Sequence, residues 1–292
     1  MSMTKRGLLA VAVLAATLGV FESESGRASA QDVEITGPLA GQPAVRHMRI
    51  YRRGRVQLQP LVAFTLTDEF SRTMLVGAQA QFHLTDWLGI GAWGGFGLLH
   101  LDTGLTDQVQ QLGQTTDRNR LSLPSRESFP DQIGQLQWAA ALQLAFIPLR
   151  GKLSLFQKLF VDADFYVFLG GAVVGVEERA DVPENTCDTA SGSCTDSQTA
   201  RASRVAFAPT FGAGLTMFIN QFISLTFEWR GIPFSWNTAG TDEGGHDETG
   251  VDASGGNFPD GIIDSSDRNF HFNHMFVLGV SFYLPTAVRV SE

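Results

Sequence analysis

The sequence has little charge, little cysteine and no apolar run long enough for a membrane helix. Only 17 % of its 292 residues are charged, and two are cysteines. The clearest apolar stretch, Gly7–Val20, is fourteen residues long, whereas a transmembrane helix needs about 20. Acidic residues outnumber basic ones, and the net charge of −9 argues against nucleic acid as a partner.

The first thirty residues have the organisation of a secretory signal peptide. Lys5 and Arg6 precede the apolar stretch, and Ala28–Ala30 supplies a small-x-small cleavage site. No cysteine lies at the cleavage point, which argues against a lipid anchor. Removal of residues 1–30 takes away three basic and two acidic side chains, leaving 18 against 28 and a net charge of −10.

The two cysteines lie close together in a polar stretch that predicts a loop. Cys187 and Cys194 are the ends of the segment CDTASGSC. In an exported protein, a pair with this spacing predicts a disulfide that closes a small ring. A metal-binding pair is the alternative, although no histidine or third cysteine lies nearby.

Apolar and polar residues alternate in eight segments, which predicts eight β-strands. In the last segment, Phe270–Pro285, the even positions are mainly phenylalanine, leucine and valine, and the odd positions are polar or small. The other seven predicted strands are 55–67, 73–84, 88–99, 135–147, 161–175, 204–219 and 223–236.

The links between these segments alternate in length. Short links are predicted at 84–87, 150–158 and 220–222, and a modest one at 68–72. Long polar links are predicted at 100–134, 178–203 and 237–268. Short turns at one end and long loops at the other are typical of outer-membrane barrels. This pattern places both chain ends on the short-turn side, in the periplasm.

The two faces of the predicted sheet differ in a way that favours a membrane over water. One face is rich in Phe, Leu, Val and Trp, and the other in Gly, Gln and Thr; a soluble barrel would place the large apolar residues inside. We therefore predict an all-β, eight-stranded antiparallel up-and-down transmembrane β-barrel. Its parts are a signal peptide (1–30), a periplasmic N-terminal segment (31–54), the barrel (55–285) and a C-terminal tail (286–292).

Four stretches resemble the outer-membrane β-barrel domain family that is abundant in myxobacteria. They are residues 54–70, 82–95, 151–172 and 258–286, and the architecture is more distantly similar to the barrel of outer membrane protein A. The resemblance implies a place in the outer membrane and no catalytic motif. It also implies a last-strand signal read by the barrel assembly machinery, with Gly279, Phe282 and Leu284 as its residues, although Val277 departs from the usual polar residue.

Six charged residues fall on the predicted inward face. They are Arg55, Asp162, Asp164, Arg204, Glu228 and Arg230. Because the interior of an eight-stranded barrel is just wide enough to be filled by side chains, we expect a lumenal ion-pair network that plugs the tube. A proton or solute path is the alternative.

The last long link is acidic, with eight carboxylates before Arg268. Asp260, Asp264 and Asp267 resemble the second half of an EF-hand-like loop, which predicts a calcium site; a solvated acidic loop is the alternative. No other cofactor is expected. The segment GIGAWG at 89–94 matches a dinucleotide-binding pattern, but no helix follows it, so we do not expect it to bind a dinucleotide.

These patterns favour a non-enzymatic integral outer-membrane barrel that is structural or binds through its surface loops. A small passive pore or transporter component is the alternative, and a lipid-modifying outer-membrane enzyme is a third hypothesis. No serine or carboxylate beside a histidine on the lipid-facing rim supports the third. The expected partners are outer-membrane lipid, lipopolysaccharide and the barrel assembly machinery.

Overall fold

The computed structural model describes residues 52–66, 68–113, 126, 129–155, 159–181, 187–188, 193–194, 201–244 and 262–286. The predicted signal peptide and most of the predicted periplasmic segment lie outside the described residues, as does Asp260.

Eight long strands form a closed barrel. They are β1 (Val56–Thr65), β2 (Ser71–His83), β3 (Leu88–Asp102), β4 (Gln135–Leu155), β5 (Leu159–Arg179), β8 (Arg201–Phe218), β9 (Ile223–Trp236) and β10 (Asn269–Leu284). The order around the barrel is β1-β10-β9-β8-β5-β4-β3-β2, and every neighbouring pair is antiparallel. The predicted eight-stranded up-and-down barrel is confirmed.

Short elements occupy the links. Two-residue strands β6 (Cys187–Asp188) and β7 (Ser193–Cys194) form a separate hairpin. Helix α1 (Gly104–Leu112) and helix α2 (Phe129–Gln132) follow β3, and a 3-10 helix (Ser265–Asp267) precedes β10. In the part of the chain that the structure describes, every helix is too short or too polar to cross a membrane.

Side-chain exposure shows which face of the wall is turned outward. Phe207, Phe96 and Leu142 are 81 %, 73 % and 72 % exposed on the outer face, whereas Arg230 on the inner face is 0 % exposed. Successive side chains of a strand point to opposite faces, so the alternation seen in the sequence becomes an apolar outer wall. The inner face of the wall carries the buried polar groups.

The two ends of the barrel differ in the lengths of the links between strands. The C-terminal ends of β2, β4, β8 and β10 lie with the N-terminal end of β1 at one end, called here the short-turn end. The C-terminal ends of β1, β3, β5 and β9 lie at the other, called here the long-loop end.

Two local expectations about β4 were wrong. The predicted link 150–158 is mostly strand, because β4 continues to Leu155 with Arg150 opposite Asp164; oppositely charged residues facing each other stabilise such an extension. Leu136, expected on the outer face, is buried. The register shifts between Leu136 and Trp138, and a bulge of this kind turns the neighbouring side chain to the other face.

Candidate functional site in the barrel interior

A buried ion pair lies in the middle of the barrel interior. Arg230 and Glu228 are two residues apart on β9 and both face inward, with Arg230 Nη2 2.8 Å from Glu228 Oε1. Arg230 also donates to Gln143 Oε1 (2.7 Å) and Thr210 Oγ1 (3.2 Å). The hydroxyl of Tyr166 donates to Glu228 Oε2 at 2.6 Å. These five side chains, called the Arg230 cluster, come from β4, β5, β8 and β9.

Two aromatic rings contact the Arg230 guanidinium. Its central carbon lies 4.3 Å from the ring centre of Phe168 and 4.5 Å from that of Trp93. A cation over an aromatic face is attracted by the ring quadrupole, most strongly where water is excluded. The barrel interior at this level is therefore occupied by paired charges and rings.

Two inward glycines of β8 make room for the aromatic rings of β5. A Cβ at Gly214 would lie 2.3 Å from Cζ of Tyr166, and one at Gly212 would lie 2.6 Å from Cζ of Phe168. Real side chains do not approach so closely. The phenol can reach Glu228 only because β8 carries glycine beside it.

A second buried cluster lies at the short-turn end. Arg52, just before β1, is buried and forms an ion pair with Asp164 of β5. Its guanidinium carbon lies 4.8 Å from the ring centre of Phe218 and 5.4 Å from that of Tyr283. Arg55 donates to the carbonyl oxygen of Gln221 at 3.0 Å.

Uncharged polar side chains connect these two levels. Gln57 Nε2 donates to Gln59 Oε1 (3.1 Å) and to Ser281 Oγ (2.9 Å), and Gln57 Oε1 lies 3.2 Å from His83 Nε2. Ser281 Oγ lies 3.1 Å from Thr226 Oγ1. All five residues are buried, and they form a polar network in this half of the interior.

The interior on the long-loop side of Arg230 is apolar instead. Its buried cluster includes Leu136, Val174, Ala206, Ala208, Ile232, Phe234, Trp236, Met275 and Val277. Sequence reasoning missed this change because small alanines and valines occupy inward positions that elsewhere carry Gln and Thr. On β8 and β9, the inner face is apolar at Ala206, Ala208, Ile232 and Phe234, on the long-loop side of Thr210 and Arg230.

A charged cluster ties the strands together at the long-loop end. Glu178 of β5 accepts from Arg204 Nε at 2.6 Å and from Arg268 Nε at 2.7 Å. Its Oε2 also accepts from the backbone N–H of Asn237 at 3.2 Å. These contacts join β5, β8 and the segments that flank the last long link.

The six charged residues expected in one network fall in three separate places. Glu228 and Arg230 belong to the Arg230 cluster, Asp164 and Arg55 lie at the short-turn end, and Asp162 is half-buried near the same end. Arg204 lies at the long-loop end with Glu178. The partners Arg52, Tyr166, Gln143 and Glu178 were missed because strand periodicity gives a side chain's face and not its height in the barrel.

The two described residues of the predicted calcium site cap the 3-10 helix. Asp267 accepts from the backbone N–H groups of Glu243, Gly244 and Asp264, at 2.7, 3.1 and 2.8 Å. Asp264 accepts from the N–H of Ser266 at 2.7 Å. Among the described residues, no three His, Cys, Asp or Glu lie close enough together to hold a metal.

The other predicted site residues have clear backbone positions. Cys187 faces Cys194 in the β6–β7 hairpin, a pairing whose Cα separation of about 4.5–5.5 Å suits a disulfide. In β10, Gly279 faces inward beside Gln59, and Phe282 and Leu284 are exposed on the outer face. The disulfide and the insertion signal stay predictions.

No family model matches this chain, and no curated protein matches it. Among solved structures, it is similar to the N-terminal β-barrel domain of Pseudomonas aeruginosa OprF, at 10 % identity and a TM-score of 0.40, covering 80 % of this chain and 98 % of that one. It is also similar to Ail, the attachment invasion locus protein of Yersinia pestis, at 7 % identity and a TM-score of 0.34, covering 80 % and 99 %.

A third similar structure is the outer membrane protease OmpT from Escherichia coli. The identity is 10 % and the TM-score 0.28, and the match covers 80 % of this chain and 95 % of that one. At these identities and TM-scores the matches assign neither a family nor a function.

Proposed function

We propose that this protein is an integral outer-membrane β-barrel without catalytic activity, closed to solutes, that acts as a structural element or through its long-loop end. The observation that carries the proposal is the inversion of the barrel's two faces. Large apolar side chains cover the outside, while Arg230, Glu228 and a set of buried Gln, Ser and Thr side chains lie inside.

Contact of the outer face with lipid hydrocarbon explains this inversion. In lipid every backbone polar group needs an internal partner, and a closed barrel is the sheet that provides one. Exposing so much apolar surface to water would oppose folding by about 25 cal/mol per Å². Closed barrels of this kind belong to bacterial outer membranes, which agrees with the predicted export signal.

Two groups of aromatic residues lie on the outer wall. Near the short-turn end, the rings of Trp87 and Phe146 meet edge to face at 5.7 Å. On β8, β9 and β10, the rings of Phe211, Trp229 and His274 form a second outer group, with Phe211 and Trp229 6.2 Å apart. Aromatic girdles at both interfaces are typical of outer-membrane barrels.

The Arg230 cluster supports a closed barrel over a passive pore. An open water path would have to pass a guanidinium that is 0 % exposed and in contact with two aromatic rings. The carboxylate of Glu228 is bound by Arg230 and Tyr166 and is therefore committed to the barrel's own structure. This arrangement also supports a non-catalytic interior.

Two measurements test the proposal. Unboiled protein from outer-membrane fractions should migrate differently from boiled protein on a detergent gel, because a folded barrel resists unfolding by detergent at room temperature. Mature protein that stays folded and soluble without detergent would contradict membrane insertion. In planar bilayers, purified protein should give no steady unitary current, and such currents would favour the passive pore.

A third measurement tests for enzymatic activity, and a fourth tests the proposed insertion partner. Incubation with labelled lipopolysaccharide or phospholipid should leave the lipid chemically unchanged, since no inward carboxylate is free of partners at the Arg230 cluster. Release of a labelled acyl chain would favour a lipid-modifying enzyme. Depletion of the barrel assembly machinery should reduce the heat-modifiable form, because the machinery is the proposed insertion partner.

A further inference from the structure

A bulge in β3 keeps the outer surface of this strand apolar up to the long-loop end. The ladder with β2 skips Leu98, so that Gly97 and Leu99 face consecutive residues of β2. An extra residue in one strand turns the residues that follow it to the other face. Leu99 and Leu101, which unbroken alternation along β3 would place inside, are 48 % and 55 % exposed on the outer face.

Leu101 lies at the upper boundary of the expected apolar band. It pairs with Arg72 of β2, ten residues before Phe82, and Phe82 is exposed on the outer wall near the short-turn end. Ten residues span about 25 Å of height at about 3.3 Å per residue and a tilt of about 40°. The apolar band of an outer-membrane barrel is also about 25 Å tall. The chain therefore leaves β3 at the level where the hydrocarbon of the outer leaflet meets its headgroups.

Helix α1 begins at this level and is fixed against the link between β1 and β2. The N–H of Thr103 donates to the carbonyl oxygen of Phe70 at 2.9 Å. The hydroxyl of Thr106 donates to the same oxygen at 2.6 Å. Val109 packs against a small buried apolar cluster at the long-loop end. These contacts define which side of α1 is turned toward the protein.

Beside this packed side, α1 has an exposed apolar flank. Leu105 and Leu112 are seven residues apart, about two helical turns, so they lie on the same side of the helix. Their exposures are 42 % and 80 %. Asp107, Gln108 and Gln111 are also exposed, and they lie on the other side of the axis. The surface that α1 turns away from the protein is therefore amphipathic.

The apolar flank of α1 continues the apolar wall of β3. Large exposed apolar side chains follow one another from the wall onto the helix, and they are Phe96, Leu98, Leu99, Leu101, Leu105 and Leu112. The first four lie on the surface that the proposed membrane location turns toward lipid. An amphipathic helix at this level places its apolar side in the boundary between headgroups and acyl chains.

We propose that helix α1 lies in the interface of the outer leaflet, with Leu105 and Leu112 in contact with lipid acyl chains and its polar side toward water. Removing two leucine side chains from water favours this position. The inference rests on the proposed membrane location and adds to it that an element of a long link binds lipid. It also assigns the occupant of the exposed flank, which is lipid rather than another protein.

The first experiment measures which quencher reaches α1 in phosphatidylcholine vesicles. The full chain with Cys187→Ser and Cys194→Ser receives one new cysteine, Leu112→Cys or the matched control Gln111→Cys, and an environment-sensitive fluorophore. Doxyl groups on the acyl chains should quench the label at position 112 about threefold more than the label at 111, because only the apolar side lies among acyl chains. Iodide in the buffer should show the opposite preference.

The outcomes separate this inference from the membrane location. A label introduced by Leu142→Cys, on the outer wall of β4, is the reference for insertion, and both proposals fail if the doxyl lipid does not quench it. If that reference is quenched, two results overturn the inference while the membrane location stands. One is equal access of iodide to the labels at 112 and 111, which places the flank in water. The other is shielding of the label at 112 from both quenchers, which places it against protein.

A second measurement keeps both native cysteines. Leu105→Gln with Leu112→Gln retains good helix formers and removes the apolar flank. Amide hydrogen exchange of residues 104–112 in vesicles should become about tenfold faster, since the lipid contact no longer holds the helix. The control Gln108→Ala with Gln111→Ala changes the polar side and should leave exchange unchanged. Equal exchange rates in the leucine variant and the unaltered protein would overturn the inference.

Discussion

The replacement Arg230→Met should destabilise the barrel more than any change of a single exposed charge. It removes the cation that Glu228 is paired with, and Glu228 is 1 % exposed. Breaking a buried ion pair from one side costs about 3–5 kcal/mol, because the remaining charge is left without compensation. One hydrogen bond from Tyr166 would remain on the carboxylate, so we expect the lower part of this range, about 3 kcal/mol.

The free energy of unfolding can be measured by urea titration of the folded protein in lipid vesicles. Tryptophan fluorescence and gel mobility should report the same transition, and about 3 kcal/mol lowers the ratio of folded to unfolded protein more than a hundredfold. Arg53→Met, which changes an exposed arginine, is the control and should change stability by less than about 0.5 kcal/mol.

A double-mutant cycle decides whether the loss comes from the pair. Glu228→Gln combined with Arg230→Met removes both charges, so the double variant should be more stable than the sum of the single effects by more than about 1 kcal/mol. The reasoning would be refuted if the single effects simply added, or if Arg230→Met resembled Arg53→Met. The charge of Arg230 would then be unimportant to the closed interior.

Three further predictions concern other parts of the barrel. Gly214→Val should lower the free energy of unfolding by about 2 kcal/mol through overpacking, whereas Gly171→Ala, where an added Cβ meets nothing within 4 Å, should have little effect; equal urea midpoints would contradict this. Burial raises the pKa of Asp68, between β1 and β2, to about 6 from 3.8. Because the folded state then binds the proton more tightly, stability should fall as pH rises from about 4 to above 6, and Asp68→Asn should remove that loss; identical urea midpoints for both proteins at pH 8 would argue against it. Glu178→Gln should speed amide hydrogen exchange in residues 237–244 without changing exchange at the short-turn end, and unchanged exchange would show that the long-loop end is held by other contacts.

The fold could be predicted from the sequence because a membrane strand repeats one rule over its whole length. The alternation of apolar and polar residues correctly predicted that Phe207 faces outward and Arg230 faces inward, since each lies in an uninterrupted strand. It failed at Leu136, where the bulge before Trp138 shifts the register. No residue type in this stretch signals the bulge, so the sequence could not predict it.

The partners inside the barrel could not be predicted in the same way. Arg230 meets Gln143 of β4 across 87 residues of sequence, and such a contact depends on the stagger of neighbouring strands. Arg52 lies in the basic stretch that precedes β1, which gave no sign that its side chain turns into the barrel.

The pairing of β1 with β10 places Val56 opposite Leu284, residues from the first and last strands of the barrel. The ring therefore cannot close until the last strand is present, and until then the first and last strands present open edges to other chains. Such long-range closure is slow, so those edges stay unpaired for longer than the edges of a protein whose contacts are local.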